Sequence, residues 1–104
     1  MIVLFIDNIY IYEEDIKYIK EKVKENHSIF KIKFKINIST IKCSDYLSLY
    51  FLNNKIFTLS KVNKINQDQI DYIYKNCYID KYTMNKKGCL TITIKNKLSK
   101  GELN

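Results

Sequence analysis

The sequence predicts a small α+β domain in which an antiparallel β-sheet carries two helices on one face. Three observations predict it. The stretch FKIKFKINI, residues 30–38, alternates apolar and polar residues without a miss, as a half-buried strand does. Segments 12–26 and 66–77 carry apolar residues at helical spacing. A faint internal repeat at an offset of 54 lays MIVLFIDNIYIYEEDIKYIKEKV over KIFTLSKVNKINQDQIDYIYKNC, and a further two-residue shift aligns FKINI with LTITI. Two strand–helix–strand halves make a ferredoxin-like two-layer sandwich, here with an extra β-hairpin.

The elements follow in order. The first strand is 2–6, ending at Asp7-Asn8. The helix over 12–26 gathers Glu13, Glu14 and Asp15 in its first turn, where the macrodipole favours acids. Its buried stripe is Ile16, Ile19 and Val23, and Glu13 can pair with Lys17. The second strand, 29–39, turns Phe30, Ile32, Phe34, Ile36 and Ile38 towards the helices and Lys31, Lys33, Lys35 and Asn37 away. YLSLYFL at 46–52 alternates again, with Leu47, Leu49 and Phe51 inward, and Asn53-Asn54 turns it into 55–60 as a hairpin. The second helix, 66–77, opens with Asn66 and Gln69 spaced as a capping box and buries Ile70, Ile73, Tyr74 and Cys77. A strand near 78–83, the turn NKKG and a last strand at 89–95 complete one domain over 1–97, followed by a polar tail at 98–104.

Composition limits the function classes. The chain has 104 residues, enough for one two-layer core. MIVLFID has no basic start and no apolar run approaches a membrane span, so a cytoplasmic protein without membrane contact is expected. Cys43, Cys77 and Cys89 are an odd set without a CxxC pair, which argues against zinc and a disulfide framework and for a reducing compartment. There are 18 Ile, 18 Lys and 11 Asn, with no Ala, Arg, Pro or Trp. That usage points to an A/T-rich genome, such as a low-GC bacterium, its phages and plasmids, or certain viruses. A net charge of +7 follows partly from such codons and proves little alone.

The distribution of charge says more than its sum. Residues 1–27 carry −2, 28–64 carry +6, 65–80 carry −2 and 81–104 carry +5. In the expected sandwich this gives mildly acidic helices and a strongly basic open sheet face, which attracts polyanions. A second reading is that helix N-termini collect acids for dipole reasons and strands take what is left.

The first strand, Leu4-Phe5-Ile6-Asp7-Asn8-Ile9, resembles the first-strand consensus of the RNA recognition motif family, roughly L-F-I-x-N-L. Glu13-Glu14-Asp15-Ile16 is similar to that family's T-E-E-D-L helix opening, and Gly88-Cys89-Leu90-Thr91-Ile92 to its G-x-x-L-x-V approach to the last strand. The resemblance implies a βαββαβ sheet whose open face stacks the bases of single-stranded RNA. By position it makes Phe5 the first-strand stacking residue and maps the third-strand motif onto Ser44 to Phe51. There Tyr46 keeps an aromatic, while Ser44, Asp45 and Ser48 depart from the basic, glycine and aromatic positions.

The expected function is therefore a non-enzymatic protein, without a cofactor, that binds single-stranded RNA or DNA on its open sheet. Phe5, Tyr46 and Tyr50 would stack bases, Asn8 would complete the first-strand motif, and Lys31, Lys33, Lys35 and Lys95 would neutralise phosphates. One alternative is a phage or mobile-element inhibitor, an anti-CRISPR or other anti-defence protein, that occupies an acidic or nucleic-acid-binding surface of a host protein in the host cytoplasm. A third is a metal-dependent ferredoxin-like nuclease using Asp7 from each subunit of a homodimer. No Gly-rich phosphate loop exists, and the single His27 reads as a helix-end or surface residue.

Overall fold

The structure is a computed structural model and describes residues 1–24, 27–37 and 41–97. It is one seven-stranded antiparallel sheet: β1 (Ile2–Ile6), β2 (Ile9–Tyr12), β3 (Ile16–Val23), β4 (His27–Asn37), β5 (Phe57–Val62), β6 (Ile70–Met84) and β7 (Cys89–Lys97). Their order is β2-β1-β5-β6-β7-β4-β3. Two 3₁₀ segments, Glu13–Asp15 and Ile41–Leu52, are the only helical elements among the described residues. The α+β, ferredoxin-like expectation is overturned, because neither α-helix forms. Ile38 and the tail at 98–104 lie outside the described residues.

Segment 12–26 holds the end of β2, a single 3₁₀ turn and β3. Segment 66–77 is a short polar loop at 66–69 followed by the first half of β6. The capping box at Asn66 and Gln69 is replaced by side-chain turns: Asn63 Oδ1 accepts from the N–H of Ile65 (2.8 Å) and Asn66 (2.7 Å), and Asn66 Oδ1 from Asp68 (3.1 Å). Asn favours this local bonding over helix initiation. The β-branched and aromatic content of IDYIY then favours a strand.

The misleading helical spacing has a physical source in β6. Tyr74, Cys77, Ile79 and Tyr82 all face the core. Three extra residues break the alternation of β6, one at Asp71, one at Asn76 with φ 58° and one at Asp80. Each bulge turns a two-residue step into a three-residue one, which imitates a helix. In β3 the cause is its edge position: Ile19 and Val23 lie 37% and 70% exposed, so no buried stripe exists to read.

Segment 46–52 is likewise not a strand. Tyr46 and Leu49 are buried and Leu52 packs against the same core. That spacing of three is the period of a 3₁₀ helix. Phe51, expected inward, is 73% exposed. The turn at Asn53-Asn54 is retained, with Asn54 at φ 64° and Lys55 N–H donating to the Leu52 carbonyl (3.0 Å), but it joins a 3₁₀ segment to β5.

The strands read by plain alternation do form. Phe30, Ile32 and Phe34 of β4 are fully buried beside Leu90, Ile92 and Ile94 of β7. The NKKG turn closes the β6–β7 hairpin, with Gly88 at φ 82° and Asn85 Oδ1 accepting from Lys87 and Cys89 N–H (2.9 and 3.0 Å). The internal repeat pairs β1 with β5, β3 with the first half of β6, and β4 with β7. Each half thus runs from a first strand to a hairpin without an α-helix between, the first half adding β2 and a 3₁₀ turn.

The sheet curls around its buried face. Glu21 on the edge strand β3 reaches across to Lys61 of β5 (2.9 Å) and accepts a hydrogen bond from the Tyr74 hydroxyl of β6. Phe30 meets Tyr74 edge-on at 4.7 Å. The longer 3₁₀ segment plugs one end: Tyr46 donates to Asp15 (2.5 Å), and Tyr82 donates to the Leu49 carbonyl (2.6 Å).

Candidate nucleic-acid interface

Because the buried face is the inside of the curl, the outward-pointing residues make a convex surface. Strand register builds its basic part row by row. Tyr18 of β3 lies beside Lys33 of β4, Thr91 of β7 and Thr83 of β6. The next row is Lys20, Lys31, Thr93 and Lys81, and the third is Lys22, Ile29, Lys95 and Tyr78. These twelve positions hold six lysines and no carboxylate. Among the described residues only Lys95 of this set has an ion-pair partner, Asp80 at 3.4 Å in the β6 bulge.

Two features of the surface run against stability. Lys20 and Lys31 stand directly opposite each other, and like charges in that position are unfavourable by about 0.2–1 kcal/mol. The Lys20 ammonium lies 4.6 Å above the Tyr18 ring, the one local attraction that offsets this. Alternate residues of a strand are roughly 6.6 Å apart and neighbouring strands about 4.8 Å, so Lys20, Lys22, Lys31 and Lys33 crowd together on β3 and β4, while threonines separate them from Lys81.

The residues expected from sequence divide into two groups. Lys31, Lys33 and Lys95 lie in this basic grid, and Lys35 extends it along β4. Phe5 points outward too, but on β1, four strand spacings or on the order of 19 Å away along the sheet. It packs on Tyr10 with ring centroids 4.7 Å apart. Asn8 sits exposed in the β1–β2 turn, and Tyr50 packs on Tyr82 at 5.6 Å on the 3₁₀ plug. Tyr46 is buried, so its ring is not available for stacking. Phe5, Tyr46 and Tyr50 therefore do not join the lysines in one platform.

Sequence reasoning missed Tyr18, Lys20, Lys22, Tyr78 and Lys81. The signal for β3 is the alternation Tyr18-Lys20-Lys22, hidden by the helical stripe assigned to the same residues. For Tyr78 and Lys81 the bulge at Asp80 displaces the alternation.

Other candidate chemistry is accounted for by structure. Asp7, at φ 52°, forms the β1–β2 turn, and its Oδ1 accepts from Thr58 N–H (3.0 Å). Among the described residues no three His, Cys, Asp or Glu side chains gather as a metal site. Burial pushes the Cys77 thiol up to about 11, which keeps it protonated at neutral pH. His27 opens β4 rather than ending a helix. No helix among the described residues is long and apolar enough to cross a membrane. No family model, curated protein or solved structure matches the chain.

Proposed function

We propose that the convex β3-β4-β7-β6 surface binds the sugar-phosphate backbone of nucleic acid, with single strands preferred. The observation that carries this reading is the twelve-position grid with six lysines and no carboxylate. An A/T-rich genome supplies lysine codons but does not thin out Asp and Glu on one face, where Asp80 of the β6 bulge is the one carboxylate paired with the grid among the described residues. Lysine ammoniums are point charges that suit phosphates, and without Arg the surface lacks the planar fork that reads base edges. Binding is therefore expected to tolerate sequence. Tyr18 and Tyr78, at opposite corners of the grid, offer rings for base stacking, worth about 1–3 kcal/mol per base.

The test is titration of a labelled single-stranded oligonucleotide, as RNA and as DNA, against the full chain over a range of salt. Affinity should fall linearly on a log–log plot, and Lys20→Glu with Lys31→Glu should weaken it by roughly 10- to 100-fold at low salt. Absence of binding at low salt removes the reading. The same face would also suit a phage or mobile-element inhibitor that occupies an acidic or nucleic-acid-binding surface of a host protein, which the A/T-type composition supports. Stoichiometric capture of one host protein, with no oligonucleotide binding, selects that alternative.

A further inference from the structure

Strand β3 ends the sheet and is paired on one side only, with β4. Lys24 and His27 exchange both backbone hydrogen bonds (2.8 and 3.4 Å). Antiparallel ladders alternate bonded and non-bonded pairs, and the β3–β4 register runs unbroken from Tyr18 to Val23. Lys22, Lys20 and Tyr18 thus aim their backbone groups at β4. Ile19, Glu21 and Val23 aim theirs away from the sheet, along a free edge.

Inside that edge lies a groove of about 630 Å³ between β3 and residues 63–65, with an apolar floor of Ile16, Phe30, Leu59 and Val62, charged residues such as Lys64 and Asp71 on its walls, and the Glu21–Lys61 ion pair within it. Its apolar rim is uncovered, with Ile65 97% exposed. On the outer side of the same edge stand Lys20 and Lys22. The edge thus presents backbone groups in the middle, cations on one side and apolar surface on the other.

We propose that the β3 edge accepts an extended peptide strand in which acidic and apolar residues alternate. Its backbone pairs with Ile19, Glu21 and Val23, its acids meet Lys20 and Lys22, and its apolar side chains enter the groove. Charge decides the occupant. A second copy paired through β3 would set lysines beside lysines, and the Lys17 bulge and edge lysines also discourage self-pairing. An acidic strand turns the same repulsion into attraction. The inward Glu21 is no obstacle, because Lys61 and Tyr74 already satisfy it.

The experiment is an NMR titration of the full chain with a synthetic peptide of alternating Glu and Val, matched to the 8 residues of β3. Saturable shifts at the amides of Ile19, Glu21 and Val23 are expected, with affinity roughly ten-fold or more above that of the Lys-Val counterpart. Charge reversal at Lys20 and Lys22 should invert the preference. General attraction of acids to the basic face survives N-methylation of alternate peptide nitrogens, whereas strand pairing does not. Ile19→Pro tests the same point from the protein side, since the Ile19 N–H bonds nothing in β4. If that variant fails to fold, the N-methylated peptide still decides. Equal binding of the plain and methylated peptides overturns the proposal. So do shifts confined to other residues, or a dimer that Ile19→Pro dissolves. Oligonucleotide affinity is expected to survive Ile19→Pro, which separates failure here from failure of the nucleic-acid reading.

Discussion

Along β6, residues 70–77 pair with β5 and residues 77–84 pair with β7, so one strand borders two different surfaces and Cys77 touches both partners. On the β2-β1-β5 side the outward row is Tyr10, Phe5, Ser60 and Ile73, without a charge. On the β7-β4-β3 side it is a grid of lysine, threonine and tyrosine. The inner faces differ little, being Ile, Leu and Phe on both sides. One core therefore supports two outer surfaces of different chemistry. Function is to be sought where they differ, and stability where they agree.

The largest effects should come from the shared interior. Phe34→Ala in the basic half and Phe57→Ala in the neutral half should each cost about 3–5 kcal/mol in urea unfolding, with a single transition retained. Two transitions in either variant would show that the halves are separate folding units. Next comes the surface contrast. Lys20→Glu with Lys31→Glu should weaken oligonucleotide binding by roughly 10- to 100-fold at low salt, while Ser60→Glu on the neutral row should change it less than about two-fold. Equal losses would erase the distinction between the halves.

A smaller effect is expected at the bridge between them. Burial tends to raise the Glu21 carboxyl, but the Tyr74 hydrogen bond and the Lys61 ion pair outweigh it and hold the group below its usual 4.5. A lowered folded value means that Glu21 contributes stability above the unfolded value, and that this is lost as pH falls through the folded one. Urea midpoints at pH 7 and pH 3 should therefore differ less in Glu21→Gln than in the native chain. An equal acid loss in both would remove Glu21 from the acid limb. Burial and the Glu21 contact raise the Tyr74 phenol well above its usual range, so its contribution persists through neutral pH and is lost only in strong alkali. Smallest of all, Lys20→Thr in a Tyr18→Thr background, where no cation–π contact is lost, should raise stability by about 0.2–1 kcal/mol while lowering oligonucleotide affinity. A loss of stability there would show that the Lys20–Lys31 pair is not repulsive.

How far the fold could be read depended on how regular each strand is. The existence of β1, β4 and β7, and the inward faces of Leu4 and Ile6, of Phe30, Ile32 and Phe34, and of Leu90, Ile92 and Ile94, followed from period two alone, whereas bulges in β1 and β4 shift the register at Val3 and beyond Lys33. The second half of β6 reads as a strand near 78–83 and is one, but its first half reads as a helix because bulges at Asp71 and Asn76 insert three-residue steps that imitate a helical stripe. The 3₁₀ plug was misassigned for the opposite reason, since YLSLYFL alternates perfectly while burying every third residue. The site inherited both errors. Lys31, Lys33 and Lys95 could be placed from their own strands. Lys20 and Lys22 needed the register of a strand hidden by a helical stripe, and Lys81 lies past the bulge at Asp80 in a strand that alternation alone could not orient.

The order of the strands also governs how the chain assembles. The β1–β2, β3–β4, β5–β6 and β6–β7 pairings are between sequence neighbours and need no distant partner. The β1–β5 and β4–β7 joints each bring together segments more than fifty residues apart. Loop closure makes such joints the slow steps, so folding on the millisecond-to-second scale typical of nonlocal sheets is expected. During synthesis β1 and β4 must wait with an unpaired, isoleucine-rich edge until residues 57–97 emerge. Throughout that wait Lys31, Lys33 and Lys35 are already on β4, where charges guard a nascent strand against pairing with the wrong chain.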